Sequence, residues 1–518
     1  MENIDRCRVV SIQSHRDDSL HVQPERQLHD RRLERGKPRA HRGTVGSESI
    51  RQTSSIFISA TDPLSRKTAM AYDAEGNVTS VTRLADTPNA VTATMTYEPV
   101  FGNLASVTDP LNHTASFDYD SNGKLITVTD SLNQQTTFTY NAAGQVLTAE
   151  DPLEHTVQFT YDSGDLVAIT DVLNRTVTRY IDAAGRLART SNPLGETTCY
   201  EYDSLNQPTR GIDPLQGVTA FAYDPNGNIL SITDARNSVT SYIYDNMDRV
   251  ITRRDPLLHD DTYEYDLNGN LKRATVRKGQ ITNFTYDALD RLIQVTYADT
   301  STITYTYDSV NQLTQVVDSL SGTITYGYDN LDRLGGTTSQ GSLSYTYDNA
   351  GRRTSMTVAG QPTVNYTYDN GSRLTQITQG SSTVSIAYDA IGRRTSLSLP
   401  NGVVTEYGYD LASHLTSLTY KSGQTVLGDL TYEYDASGRR TRMGGSFARS
   451  LTPQTLASAT YNAANQQLTF GSQTLSYDLN GNLTNDGANS YTWDARNRLV
   501  SMTGPGVNAT FQYDAAGG

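Results

Sequence analysis

Aspartate is the residue whose spacing in this chain could do the most chemistry. Tyr223-Asp224, Tyr244-Asp245, Tyr265-Asp266, Tyr286-Asp287, Tyr307-Asp308 and Tyr328-Asp329 follow one another at a constant interval, and Tyr119-Asp120 is a further pair. Repeated carboxylates have three common uses. Two of them about 5 Å apart can cleave glycosides with retention. Several together can hold calcium. One alone can shape a turn by accepting its own backbone N–H groups. The pattern points to the third use. Calcium-binding β-rolls need dense Gly-Gly-x-Gly-x-Asp repeats, which this sequence lacks. An acid-rich chain also offers chance carboxylate pairs, so such pairs carry no weight by themselves.

The other reactive side chains read the same way. A tyrosine ladder can stack sugars, but its ordinary use is cross-strand packing. Arg186, Arg249, Arg291, Arg333, Arg352 and Arg393 follow turn signals. They could bind phosphate, though pairing with a neighbouring aspartate is commoner and weak at a surface. His155, His259 and His414 lie far apart, so no Ser-His-Asp arrangement is supported. No catalytic, cofactor-binding or metal-binding residue is assigned, and the chain is expected to be non-enzymatic and without cofactors. Tyr119, Asp120, Tyr223, Asp224, Gly227, Tyr244, Asp245, Tyr265, Asp266, Gly269, Tyr286, Asp287, Tyr307, Asp308, Tyr328 and Asp329 are assigned instead as repeat-defining structural residues.

The elements that carry these residues are strands. In residues 213–233, Asp213-Pro214-Leu215 opens a turn, and Val218, Ala220 and Ala222 alternate with Thr219, Phe221 and Tyr223. Asn226-Gly227 then signals a tight turn, because both residue types tolerate positive φ. Ile229 to Thr233 alternate again. Ile303, Tyr305 and Tyr307 fall on one face of a strand, with Thr304 and Thr306 on the other. Each unit therefore reads strand, turn, strand, turn. Where the turn glycine is missing, Asn206, Asp248, Asp290, Asn311 or Asp332 stands in its place, and these are the residue types that best tolerate a left-handed backbone. Counting relaxed versions at Tyr140-Asn141, Tyr180-Ile181 and Trp493-Asp494, about 22 units run from Tyr72 to Asp514. The expected fold is all-β, a tandem array of β-hairpins with no helical domain. As one ring, 44 strands spaced about 4.8 Å apart would be roughly 67 Å across, too wide for side chains to fill. A coiled sheet around a wet interior is the resolution, and Tyr and Thr suit such an interior.

Composition narrows the partners. The net charge is −14 with 33 tyrosines and one tryptophan, which disfavours nucleic-acid binding. Two cysteines in 518 residues form no disulfide framework or zinc spacing. No apolar run approaches the length of a membrane-crossing helix, so no membrane span is expected, and no signal peptide is visible. Residues 1–55 are a different text. They hold 11 of the 42 Lys+Arg and four of the eight His, and read as a disordered basic leader. Three origins stay open for it: a plain polar leader, a mis-started or out-of-frame stretch, or a basic arm. The array occupies 56–518, with intervals drifting to 25, 27, 16 and 16 residues between Tyr409 and Trp493.

The unit resembles the RHS/YD-repeat family. Asp109-Pro110-Leu111-Asn112-His113-Thr114, running through Phe117 to Tyr119-Asp120 and Asn122-Gly123-Lys124-Leu125, matches that family's repeat almost position by position. So do Asp151 to Leu166 and Asp213 to Leu230. The resemblance covers roughly residues 60–518. It implies a hollow shell made from a spiralling strip of hairpins, as in bacterial Rhs polymorphic toxins, the C components of Tc toxins and teneurins. In the bacterial members the shell encloses a C-terminal toxin, freed by aspartyl self-cleavage in an Rhs-associated core. No position here matches that core or its aspartates, so the array reads as a shell segment truncated before them. The implied partners are the missing core and toxin portion, and the implied place is outside the cell or on its surface. The alternative is a YD-repeat adhesin that binds cell-surface glycans.

Overall fold

The computed structural model describes residues 52–53, 56–57, 59–338, 341–449, 458–515 and 517. All of them lie in the unit Ser47–Gly518. The basic leader expected over 1–55 falls outside the described residues, apart from Gln52–Thr53, which pairs with Ile56–Phe57.

Every described element is a strand, as the period-2 alternation predicts. The unit at 218–244 shows why. Val218–Tyr223 turns through Asp224–Asn228 into Ile229–Thr233, which turns through Asp234–Ser238 into Val239–Tyr244. Both turns are one device. The Asp224 N–H donates to the Asn228 carbonyl (2.9 Å) and the Gly227 N–H to the Asp224 carbonyl (3.0 Å), with Gly227 at φ 91°. Asp234, Ser238 and Asn237 repeat this at 3.0 and 2.9 Å, with Asn237 at φ 64°. This is a three-residue hairpin loop with a left-handed last residue. The expectation that Asn226 also takes positive φ fails, because only the fourth residue of the five needs it. Both central residues are left-handed where the loop shortens to two, at Ser163-Gly164 (φ 51° and 94°). The glycine substitutes behave as expected: Asn206, Asp248, Asp290, Asn311 and Asp332 all have φ between 59° and 68°.

The hairpins join edge to edge into one antiparallel ribbon of 37 strands, Ser59–Thr61 to Arg440–Gly444. Pairing runs between chain neighbours, and the first and last strands each pair on one side, so the ribbon is open. Its two long edges differ. At the Tyr-Asp edge each hairpin carries a bulge just before the tyrosine slot: Ala222 faces Ser231, Tyr223 faces Ile229, and Leu230 is left over. At the opposite, return edge most ladders between hairpins are short and regular, as in Arg210–Ala220, Gly211–Thr219 and Ile212–Val218, although Leu415–Ser422 with Thr425–Tyr434 is longer and bulged. Neighbouring hairpins therefore splay toward the Tyr-Asp edge. A bulge bends its strand and raises its twist, so a distortion repeated on one side bends the ribbon always in the same sense.

The bend brings the ribbon back onto itself. The Arg66 guanidinium meets Asp332 at 2.6 Å. The 25 strands from Lys67–Tyr72 to Gly322–Tyr328, at about 4.8 Å each, make a turn roughly 40 Å across, which side chains cannot fill. Burial agrees. Among the described residues only Leu84, Ala85, Cys199, Val295, Val316, Ile324 and Ala515 are buried hydrophobics. One face carries aromatic rows, such as Phe221 with Tyr223 and Tyr305 with Tyr307, half-buried throughout, whereas the residue between each pair, such as Ala222 or Thr306, is exposed.

Leu258 occupies a left-handed turn slot (φ 68°) with 76% of its surface exposed. Leu258→Asn is expected to stabilise the ribbon by about 1 kcal/mol, since a branched side chain there is strained. A urea titration followed by circular dichroism checks this, and a lower midpoint would contradict it.

Candidate functional site

The repeated Tyr-Asp edge is where the sequence concentrates its polar side chains. Each aspartate there receives its own turn. Asp245 Oδ1 accepts the backbone N–H groups of Met247 (2.9 Å) and Arg249 (3.1 Å), and its Oδ2 accepts Arg249 Nε (2.7 Å). Asp224 takes Asn226 and Asn228 N–H and the Asn228 amide in the same way. Asp120, Asp266, Asp287, Asp308 and Asp329 each accept the same two backbone donors. The Arg249 guanidinium holds the Asp245 carboxyl below its ordinary range, and the Asn228 amide does so for Asp224. Gly227 and Gly269 fill the left-handed slots at φ 91° and 93°.

The tyrosines of the regular units bridge the splay. The Tyr223 hydroxyl donates to the Pro208 carbonyl, 15 residues back at the start of the neighbouring strand (2.8 Å). Tyr119, Tyr244, Tyr265, Tyr286, Tyr307 and Tyr328 reach the carbonyls of Leu104, Ile229, Val250, Leu271, Leu292 and Leu313 likewise, at 2.8–3.0 Å. Burial pushes the Tyr244, Tyr286, Tyr307 and Tyr328 phenols up, so they stay protonated donors. Arginine then ties unit to unit. Arg291 Nε binds its own Asp287 (2.7 Å), its Nη1 donates to the next unit's Asp308 carbonyl (3.3 Å), and its guanidinium lies 4.8 Å from the Tyr307 ring centre. Arg186, Arg249, Arg352 and Arg393 do the same over Tyr202, Tyr265, Tyr368 and Tyr409. These carboxylates and phenols are thus engaged in the ribbon's own hydrogen bonds.

Two relaxed units sort differently. Trp493 takes a tyrosine slot, with its indole N–H donating to the Leu483 carbonyl at 2.8 Å. The unit expected at Tyr180-Ile181 sits one residue later. Ile181 faces Leu187 in the tyrosine slot, and Asp182 caps the turn. Tyr180 is displaced to the other face, 46% exposed, under the Arg189 guanidinium at 3.8 Å.

Sequence reasoning missed the seam between successive coils. Return turns of the first coil meet Tyr-Asp turns of the second. Arg66 and Arg83 meet Asp332, the Ser131 hydroxyl meets the Asn370 carbonyl (2.7 Å), and Arg439 meets Glu196 (3.0 Å). Arg236 reaches the Asn462 carbonyl, and Lys278 reaches Asp478 (3.1 Å). Beside that contact, Asp255 (2% exposed) takes Arg277 at 2.8 Å. The most buried of these contacts is Arg496 with Asp318. Nη1 and Nη2 donate to the two carboxylate oxygens at 2.6 and 2.8 Å, with side chains 5% and 1% exposed. The clue in the sequence is position: Arg236 and Arg496 stand two residues after the turn aspartate, where a side chain points off the edge. A cavity of about 290 Å³ beside Leu84, Pro88, Asn89, Asp329 and Arg333 also lies on this seam. Among the described residues no group of three His, Cys, Asp or Glu side chains gathers as metal ligands.

Residues 196–319 and 321–405 match the Teneurin YD-shell family model, and 99–132, 119–156 and 388–425 match the RHS Repeat model. The tRNA3(Ser)-specific nuclease WapA of Bacillus spizizenii is 35% identical over 91 residues, 17% of this chain and 4% of that protein. The tRNA nuclease WapA of Bacillus subtilis strain 168 matches to the same extent. Among solved structures, the TcdB2-TccC3 crystal structure superposes at TM-score 0.60 with 15% identity, over 88% of this chain and 31% of that one. The Photorhabdus luminescens Tc holotoxin pore does so at 0.51 with 15% identity, over 85% and 27%. The chain thus spans less than a third of these solved chains and a small part of the nucleases. The structural likeness is one of fold.

Two outcomes follow from the site. Tyr244→Phe keeps the ring and loses the bridge, and is expected to cost about 1 kcal/mol in urea stability; an unchanged midpoint would contradict the bridging role. Arg496 holds the Asp318 carboxyl down to about 2, against burial, from 3.8. A carboxyl lowered on folding stabilises above its unfolded value and loses that contribution as pH falls through its folded value. The stability difference between the natural protein and Asp318→Asn should hold above pH 4 and shrink toward pH 2. A difference independent of pH there would refute the pairing.

Proposed function

The chain belongs to the RHS/YD-repeat family, and from that premise we propose that its coiled ribbon is the non-enzymatic wall of a container for a polypeptide cargo. The cargo in this reading is a C-terminal toxin or effector portion of an Rhs-type protein, and the place of action is outside the cell or on its surface. No helix among the described residues is long and apolar enough to cross a membrane. Residues 56–518 act as the array, and the tyrosine-aspartate pairs act only to hold it.

The observation that carries this reading is the position of Ala515. It packs on Val316 and Ile324, among Ile303, Tyr305, Leu313 and Tyr326, on the aromatic face of strands far earlier in the chain. That face is the one we assign to the interior, so the chain runs inward at this point. A wall only one sheet thick, with aspartates and phenols engaged in its own hydrogen bonds, favours enclosure over catalysis. A glycan-binding role is the second reading, supported by the exposed Tyr180 under Arg189; loss of glycan-array signal on Tyr180→Ala with folding intact would favour it.

To test enclosure, an unstructured reporter with one protease site is fused after Gly518 of the full chain. Enclosure predicts cleavage at least tenfold slower than in the free reporter, restored by urea. Equal cleavage rates in the native fusion and the free reporter would sink the reading.

A further inference from the structure

The last eight strands, Ala459–Tyr461 to Val507–Thr510, form a three-stranded and a five-stranded sheet. Among the described residues none of them pairs with a strand of the 37-strand ribbon. What holds them to the first coil is a row of side-chain contacts at three turns. Asn462 and Asn465 meet Arg236 and Asp234. Asp478 and Asn480 meet Lys278, Arg277 and Gln280. Arg496 meets Asp318. These contacts are unequal. The Lys278 side chain is 40% exposed, and contacts of that kind contribute little and weaken with salt.

The Arg496 contact is of another kind, because the groups that receive it are held by the ribbon's own turns. Asp318 is fixed by the Leu320 N–H (2.9 Å) and the Ser321 hydroxyl (2.9 Å), both from its own turn. Ser301 sits beside it, 6% exposed, with its hydroxyl on Asp299 (2.6 Å) and 3.0 Å from Arg496 Nη2. The Tyr297 ring closes the side, 4.4 Å from the guanidinium carbon. Carboxylate fork, hydroxyl and ring face together match a guanidinium and fit an ammonium poorly. Asp299, Asp494 and Arg498 are further charged groups around the site.

We propose that residues 459–515 are a flap that closes on the return edge of the first coil and is latched by Arg496 in the Asp318–Ser301–Tyr297 socket. Opening it breaks no backbone ladder among the described residues. It lifts Ala515 from Val316 and Ile324 and uncovers that part of the aromatic face. The proposal does not depend on what the ribbon encloses. Once undocked, the flap has strands of two to six residues, too short to persist unsupported.

The chain supplies its own reporter, since its single tryptophan, Trp493, lies in the flap. Urea unfolding of the full chain is followed by Trp493 fluorescence and by far-ultraviolet circular dichroism, which reads the ribbon. A separately latched flap predicts that fluorescence changes first. Arg496→Gln should lower the fluorescence midpoint and leave the main dichroism transition in place. Arg496→Lys should behave like Arg496→Gln if the fork matters. Asp318→Asn offers a second route to the same loss from the ribbon side. Coincident transitions in the natural protein, shifted together by Arg496→Gln, would overturn the proposal. A fluorescence midpoint untouched by both Arg496→Gln and Asp318→Asn would also overturn it.

Discussion

The structure depends on a phenol that spans a gap the backbone leaves open. Neighbouring hairpins share a short ladder at the return edge and part at the other, as at Arg210–Ala220 to Ile212–Val218. Without a bridge the parted strands would leave a carbonyl such as that of Pro208 facing no donor. Tyr223 supplies the donor from the next hairpin, and its ring covers the gap. Thus the side chain that recurs most regularly is the one that allows a flat ladder to bend and stay hydrogen-bonded. Neutral bonds of this kind contribute about 1 kcal/mol each. Their repetition along one edge bends the ribbon always in the same sense.

Curvature then sets everything at longer range. The sequence separation across the seam is 249 at Arg83–Asp332 and 239 at Ser131–Asn370. It falls to 200 at Lys278–Asp478 and 178 at Arg496–Asp318. Fewer residues per turn mean fewer strands per turn, so the coil narrows toward its end. Narrowing carries the last turns onto the Asp318 socket and lays Ala515 on the aromatic face.

Much of this was legible in the sequence. The constant period of the Tyr-Asp pairs marked the hairpin, alternation marked the strands, and Asn206, Asp248 and Asp290 marked left-handed slots without a glycine. All of these are local, decided within one unit. Tyr180 was misread because the turn residue Asp182 sets the register, which puts Ile181 in the tyrosine slot. Ile181 fills the tyrosine slot by bulk alone, while Asp182 caps the turn by accepting the Ala184 and Arg186 N–H groups on Oδ1. The two edges also use the same turn, so the true spacing of turn aspartates is about half the tyrosine period, as Asp213, Asp224, Asp234 and Asp245 show. The seam was not legible. Its partners lie far apart in the chain and no period links them. Arg496 is distinguishable only by standing two residues past its turn aspartate rather than four.

The claim that one-sided splay winds the ribbon onto itself in a fixed register is tested most directly by a crosslink. Ser131→Cys and Asn370→Cys place thiols on facing turns of successive coils. Ser131→Cys with Ala390→Cys is the same pair one hairpin out of step. The account predicts fast disulfide formation in the native chain for the first pair, slow formation for the second, and no preference in urea. Equal rates for the two pairs, or none for the first, would contradict it.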